Sequence, residues 1–235
     1  MDERFLRTVA LIGETSVEIL EKSRVLLFGL GGVGSFVAEA LVRSGVGELD
    51  IYDNDRVDIT NINRQLIALE ATVGRLKTEV TAERLKQINS NVKVSEHPVF
   101  VTPKETEKID FTKYDYVVDA IDNVTAKIAI CQKSREHSIP IISAMGAGNK
   151  LDPTKFEIAP IEKTSGCPLA RVMRLELRKR NIKGVKAVFS KEPAVKSNLP
   201  ESSPASIAFV PSVMGLIIAG EVIKDLINKK EGSEQ

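Results

Sequence analysis

The chain has 235 residues, 43% of them hydrophobic, which suits one large α/β core and excludes a disordered or repeat-built protein. Its 33 Lys and Arg nearly balance 32 Asp and Glu, so it is not a basic domain overall, and 2 cysteines exclude a disulfide framework. With no signal-peptide pattern and no charge-poor run long enough to span a bilayer, the expectation is a cytoplasmic protein without membrane contact.

Residues 1–22 are expected to form an N-terminal helix ahead of a nucleotide-binding part over 24–147. Val25, Leu26, Leu27 and Phe28 make a continuous apolar run suited to a strand buried on both faces. Directly after it comes GLGGVGS over 29–35, and then Val33, Phe36, Val37, Ala40 and Leu41 recur at helical spacing. Glycines at such a junction allow a tight turn and let the backbone approach a phosphate. The helix start adds unpaired N–H groups and a positive dipole end. Gly29, Gly31, Gly32 and Gly34 therefore mark a nucleotide phosphate site. The second strand, 49–52, ends at Asp53, at the separation from the glycine run expected of a ribose-binding acid. That pattern by itself favours NAD, then an ATP enzyme, then a decayed scaffold.

The next residues change the order. Asp53, Asn54 and Asp55 are followed by Asn61, Ile62, Asn63, Arg64 and Gln65, and then by VGRLK over 73–77, which opens another helix. Arg64 and Lys77 are surface cations if taken singly, as most Arg and Lys are. Together behind a ribose acid they suit an enzyme that breaks the α–β bond of ATP and must stabilise charge building on phosphate. A further strand from Tyr116 runs into Asp119, Ala120, Ile121, Asp122 and Asn123. In open parallel sheets ligands sit beyond such strand ends. Asp122 there suits a hydrated Mg²⁺ held against ATP phosphates, or a cap for the helix starting near Val124, a duty Asn123 also meets.

Strands and helices alternate to about Ala147, which predicts a mostly parallel sheet. The helix over 127–136 puts Cys131 in the core. Residues 148–228 read as a substrate-facing and dimer-forming part, with strands over 158–161 and 185–190 extending the sheet in mixed orientation. Residues 191–204 read as a flexible loop near the site, 205–223 as a buried or dimer-forming helix, and 229–235 as a frayed tail. Arg171, Arg174, Arg178, Lys179, Arg180, Lys183 and Lys186 cluster with Glu176 the only acid among them. Arg171, Arg174 and Arg178 share one helical face, with Leu169, Val172, Met173 and Leu177 mostly turned away. Such a stripe is either a solvated face or a surface that neutralises phosphates in a salt-dependent way.

GLGGVGS, the strand end at Asp53, TNINRQ, VGRLK and DAIDN, in this order and spacing, resemble the ubiquitin-activating-enzyme-like family of ATP-dependent adenylating enzymes. The segments ERFLRTVALIGE and FVPSVMGLIIAGEVIKDLI extend the resemblance over nearly the whole chain. It implies a single α/β domain of Rossmann-like, doubly wound, three-layer form, its mostly parallel sheet extended by antiparallel strands. It further implies that Asp53 holds the ATP ribose, that Asn61, Arg64 and Lys77 hold the phosphates, and that Asp122 ligates Mg²⁺. Arg64 and Lys77 then stabilise the α-phosphoryl transition state, and Asp55, Gln65 and Asn123 complete the nucleotide-contacting set. Arg7 would enter the neighbouring subunit's site in a homodimer.

Within that family, enzymes that adenylate small sulfur-carrier proteins usually carry two C-x-x-C pairs for zinc. Cys131, Cys167, His97 and His137 have no metal-ligand spacing, so no zinc is expected. LDPT over 151–154, KTSGCPLAR over 163–171 and VKAVFSKE over 185–192 instead resemble the tRNA threonylcarbamoyladenosine dehydratases, with Cys167 where an Asp is expected. That resemblance implies adenylation of the threonyl carboxylate, ring closure by the neighbouring ureido group, and tRNA contacts from Arg171, Arg174, Arg178 and Arg180. Cys167, at a loop-to-helix boundary, is either an inert thiol or a reactive one. Whether a monovalent cation shares the site, and whether a sulfur-relay partner such as a cysteine desulfurase binds, the sequence leaves open. Three rivals share these residues: an adenylyltransferase for a ubiquitin-like carrier protein, an NAD-binding oxidoreductase and a catalytically idle scaffold.

Overall fold

The computed structural model describes residues 2–198 and 204–231, so the expected tail beyond 231 and positions 199–203 of the 191–204 loop lie outside the described residues. The N-terminal segment is two helices, α1 (Leu6–Ile12) and α2 (Glu14–Glu21), in place of the one expected over 1–22. Gly13 lies between them at φ 84, outside the helical region, and breaks the ladder.

Next come β1 (Arg24–Phe28), α3 (Gly34–Arg43), β2 (Glu48–Tyr52), α4 (Lys77–Ile88), β3 (Lys93–His97) and the short α5 (Pro103–Thr106). They are followed by β4 (Tyr116–Asp119), α6 (Val124–Glu136), β5 (Ile141–Ala144), β6 (Phe156–Pro160), α7 (Pro168–Lys179), β7 (Lys186–Ser190) and α8 (Phe209–Glu231). The strands join in one sheet of order β3-β2-β1-β4-β5-β7-β6. All pairings are parallel except that of β6 with β7, where Phe156 lies opposite Ser190.

Alternation along the central strands makes two cores, as period-2 side-chain placement requires. Val25 and Leu27 of β1 face one side, where Val37 and Leu41 of α3, Leu85 of α4 and Met214 and Ile218 of α8 pack on them. Leu26 and Phe28 face the other, against Ile130 and Cys131 of α6 and Met173 and Leu177 of α7. Helices on both faces of a mostly parallel sheet give the three-layer, doubly wound arrangement. Among the described residues no helix is long and apolar enough to cross a membrane.

The chain winds from β1 outward through β2 to β3, then returns to lay β4 on the other side of β1. That reversal opens a crevice beyond the C-terminal ends of β1 and β4, where doubly wound sheets bind ligands.

Candidate active site

The crevice is a cavity of about 1150 Å³, and Gly29, Gly31, Gly32, Asp53, Asp55, Asn61, Arg64, Gln65, Lys77, Asp122 and Asn123 all line it. Gly34 lies just behind this wall as the first residue of α3. Gly29 leaves β1 at φ +88, and a Cβ there would sit 2.7 Å from the Ala120 carbonyl oxygen. A Cβ on Gly34 would sit 1.8 Å from the Gly29 carbonyl oxygen, so the turn closes backbone against backbone. Ser35 locks it further, its Oγ donating to the Gly31 carbonyl at 2.7 Å.

Asp53 follows β2, and its two carboxylate oxygens accept the N–H groups of Leu30 (2.7 Å) and Asp55 (2.8 Å). Burial pushes its carboxyl above the usual range, against the opposing charge of Lys77. A buried carboxylate gains from further donors, and ribose hydroxyls are donors. Asn61 is buried, and its side-chain oxygen accepts the Asp58 N–H at 3.1 Å, which orients the side-chain amide.

Both cations reach the cavity. A Cβ on Gly32 would lie 3.5 Å from Cγ of Arg64, so the arginine stem lies against the glycine turn. Its Nη1 donates to the Thr60 carbonyl (2.8 Å) and to Asn63 Oδ1 (2.9 Å). Lys77, only 5% exposed, pairs through Nζ with Asp55 Oδ2 at 2.8 Å. Gln65 is buried behind them, with no hydrogen-bond partner on its Oε1 among the described residues.

The structure also assigns the cap at the end of β4. Asn123, whose Oδ1 accepts the Ala126 N–H at 3.0 Å, caps α6. Asp122 is therefore spared that duty, and it is exposed on the cavity wall. That is the arrangement a carboxylate needs to hold a cation against phosphate.

Several lining groups escaped the sequence reading. Arg56 is a third cation on the wall, held by the Gly74 carbonyl at 2.8 Å, and Val99, Phe100 and Val101 form an apolar stretch beside it. Asn63 links the arginine to the far wall, since its Nδ2 donates to the Ser206 carbonyl at 3.0 Å. Lys127, which does not line the cavity, is fully buried on α6. Its signal was present: Lys127, Ile130, Cys131 and Ser134 fall at i, i+3, i+4 and i+7, so a lysine lies on the buried stripe of α6.

Residues 4–235 match the ThiF family. The chain belongs to that family. It is 43% identical over 247 residues to a Bacillus subtilis (strain 168) tRNA threonylcarbamoyladenosine dehydratase, covering 98% of this chain and 97% of that protein. Two solved structures of the Escherichia coli tRNA N6-threonylcarbamoyladenosine dehydratase TcdA are similar throughout, each at 35% identity. The AMP complex matches with a TM-score of 0.91 over 99% of this chain and 96% of that one. The ATP complex matches with a TM-score of 0.89 over 97% and 95%.

Away from the cavity of this ThiF-family chain, the basic cluster divides. Arg171 and Arg178 on α7 are exposed, and they form no ion pair among the described residues. Arg174 instead donates from Nη1 to the carbonyl and hydroxyl of Thr164, both at 2.8 Å, and Arg180 pairs with Glu176 at 2.7 Å. Val172, placed on the side turned away from the arginines, is exposed. Lys186 does not belong to this surface: from β7 it reaches Glu221 and Asp225 on α8, at 2.7 and 2.6 Å. Burial opposes its charge, but the two carboxylates outweigh that and hold its pKa above the ordinary value.

Cys131 is fully buried, and burial pushes its thiol pKa upward. Cys167, the residue before α7, is 5% exposed. Arg7 is exposed on α1 and does not line the cavity of its own chain.

Proposed function

We propose that this protein is an ATP-dependent dehydratase of threonylcarbamoyladenosine in tRNA, adenylating the threonyl carboxylate and closing it into a ring. The observation that carries the reading is the gathering of Arg64, Lys77 and Asp122 around the glycine turn, in a chain alike over nearly its full length to dehydratases of that name. A redox enzyme has no need of such a cluster beside a pyrophosphate. An enzyme that transfers a nucleotidyl group has.

The backbone of the glycine turn cradles the triphosphate, and Asp53 takes the ribose hydroxyls. The threonyl carboxylate attacks the α-phosphorus, the α–β bond breaks, and pyrophosphate leaves with the electron pair. Arg64 and Lys77 stabilise the charge that builds on the phosphoryl oxygens, with Asn61 donating from its side-chain amide. The ureido nitrogen then attacks the activated carbonyl, loses its proton and expels AMP. The water formally lost ends as an oxygen in AMP and a proton in solution. Because nucleophile and electrophile share one molecule, an effective molarity of ~10⁵ M is within reach, so no protein nucleophile is required. The burial of Cys167 accords with that.

Asp122 is the residue that would hold Mg²⁺, its carboxylate being exposed and free of capping. The ion, when bound, supplies positive charge against the phosphates. No group of three or more His, Cys, Asp or Glu side chains gathers among the described residues, and an ion held by Asp122 would draw on phosphate oxygens and water as well. A cytoplasmic location accords with a tRNA substrate.

Arg171 and Arg178 are the α7 arginines free to meet tRNA phosphates. Replacing both with glutamate is expected to raise KM for tRNA at least ~10-fold, to lower the salt slope of tRNA binding by about 2, and to leave KM for ATP unchanged. Titration of tRNA affinity against KCl checks this, and an unaltered slope contradicts it.

The working unit is a homodimer. No residue of the strongly apolar α1 is buried within one chain, and Leu11 there is 85% exposed. A second copy would cover that face and bring Arg7 toward its partner's cavity. Equilibrium sedimentation is expected to give twice the chain mass, and a monomer mass at assay concentration would contradict the shared site.

The deciding experiment digests tRNA treated with the protein and ATP and weighs the nucleosides. Loss of one water from threonylcarbamoyladenosine is expected. An unchanged nucleoside, with AMP instead transferred to a carrier-protein carboxy terminus, would overturn the assignment.

A further inference from the structure

The turn that carries Asp122 rests on a charged pair sealed from water. Lys127, on the first turn of α6, and Asp119, the last residue of β4, are both 0% exposed, and their side chains meet at 3.0 Å. Nζ of Lys127 also donates to the carbonyls of Ile121 (3.0 Å) and Ala144 (2.8 Å), which uses all three of its N–H donors. Asp119 accepts the Ser143 hydroxyl at 2.5 Å through Oδ2 and the Ile121 N–H at 3.4 Å through Oδ1. Both backbone polar groups of Ile121 are thus held by this pair, and Asp122 is the next residue along the chain. Ser143 and Ala144 belong to β5, so the same contacts tie the turn to the neighbouring strand.

Neither charge lines the cavity. A buried ion pair is seldom more stabilising than apolar side chains of equal volume, and α6 already buries Ile130 and Cys131 on the same stripe. What the pair secures is the path of residues 119–122.

We propose that Lys127, together with Asp119, is a positioning residue for ATP activation, fixing the turn that presents Asp122 to a divalent cation on the triphosphate. The proposal rests on the reading of Asp122 given above. It assigns a role in the reaction to a residue that touches neither nucleotide nor tRNA.

The test is calorimetric binding of ATP with and without Mg²⁺, and of AMP without metal. The variants are Asp119→Asn/Lys127→Met, which removes both charges and keeps their volume, and Ser143→Ala, which removes only one donor to Asp119. The double variant is expected to unfold cooperatively and to bind AMP as the parent does. It should lose at least ~10-fold of the tightening that Mg²⁺ gives to ATP, a change that a packing defect alone would not confine to the metal. Ser143→Ala should lose a smaller part of the same tightening, and it decides the matter if the double variant does not fold. Full tightening in a folded double variant, or in Ser143→Ala where only that variant folds, overturns the proposal. Asp122→Asn separates the two levels. If it loses the tightening while the double variant keeps it, Asp122 holds the metal without help from Lys127. If Asp122→Asn keeps the tightening, the reading of Asp122 fails and the proposal falls with it.

Discussion

Arg64→Ala and Lys77→Met are each expected to lower ATP–pyrophosphate exchange, driven by threonylcarbamoyladenosine tRNA, by about 10²–10³-fold, the usual cost of removing one fixed donor from a developing charge. The expectation follows from placement. Arg64 rests its stem against Gly32 and is held by Thr60 and Asn63, so its guanidinium needs little reorganisation to meet a phosphoryl group. Lys77 is buried at the start of α4, and its only partner among the described residues is the exposed carboxylate of Asp55. A phosphate oxygen entering the cavity competes with that carboxylate, while Asp55 returns to water at little cost. Methionine is the informative replacement at 77 because it keeps the buried stem and removes only the charge. Both variants should unfold near the parent midpoint, since neither side chain anchors either core. Undiminished exchange in a folded variant would contradict the role assigned to that cation.

The second large effect is on the fold. Gly34→Ala is expected to destabilise the protein by more than about 4 kcal/mol, or to prevent folding, whereas Gly31→Ala should leave urea unfolding nearly unchanged. A Cβ at 34 meets the Gly29 carbonyl oxygen at 1.8 Å. No rotamer relieves that contact, because a Cβ is fixed by the backbone. Its accommodation requires the start of α3 to lift away from β1, opening both the core and the phosphate cradle. A Cβ at 31 meets nothing closer than 3.9 Å, and that atom is the movable Nε2 of Gln65. Equal stability of the two variants would show that the turn is not closed as described.

The contrast explains why the nucleotide half was legible from sequence. A glycine that must tolerate backbone contact admits no substitute, so the strand, the turn and the helix announce themselves together around Gly29 and Gly34. Asp53 and the 61–65 run follow at separations set by the same compact unit, and the structure brings them to one cavity. The ambiguity at Asp122 had a different origin. Asp and Asn are both good caps, and only the Asn123–Ala126 hydrogen bond shows which of the two caps α6.

What sequence could not assign is where each cation's partner lies. Arg174, Arg180 and Lys186 read as members of one basic cluster, but their partners are Thr164, Glu176 and the α8 carboxylates Glu221 and Asp225. Three of these partners are ten or more residues distant in sequence, and a helical wheel does not contain them. Lys127 illustrates the same blindness from the opposite side. A lysine on an apolar stripe is an anomaly in sequence, but its meaning depends on Asp119 and the end of β5 converging on it. The break at Gly13 went unseen because the segments on either side of it are both helical.

The cations beside the glycine turn are proposed to carry a carboxylate through attack on the α-phosphorus of ATP, and the fate of the carboxylate oxygen reports on that attack. tRNA whose threonylcarbamoyladenosine carries ¹⁸O in the threonyl carboxylate is incubated with the protein and ATP, and the released nucleotide is weighed. AMP bearing one ¹⁸O, delivered when the ring closes, is expected. Unlabelled AMP, or ADP accompanied by labelled phosphate, would contradict it.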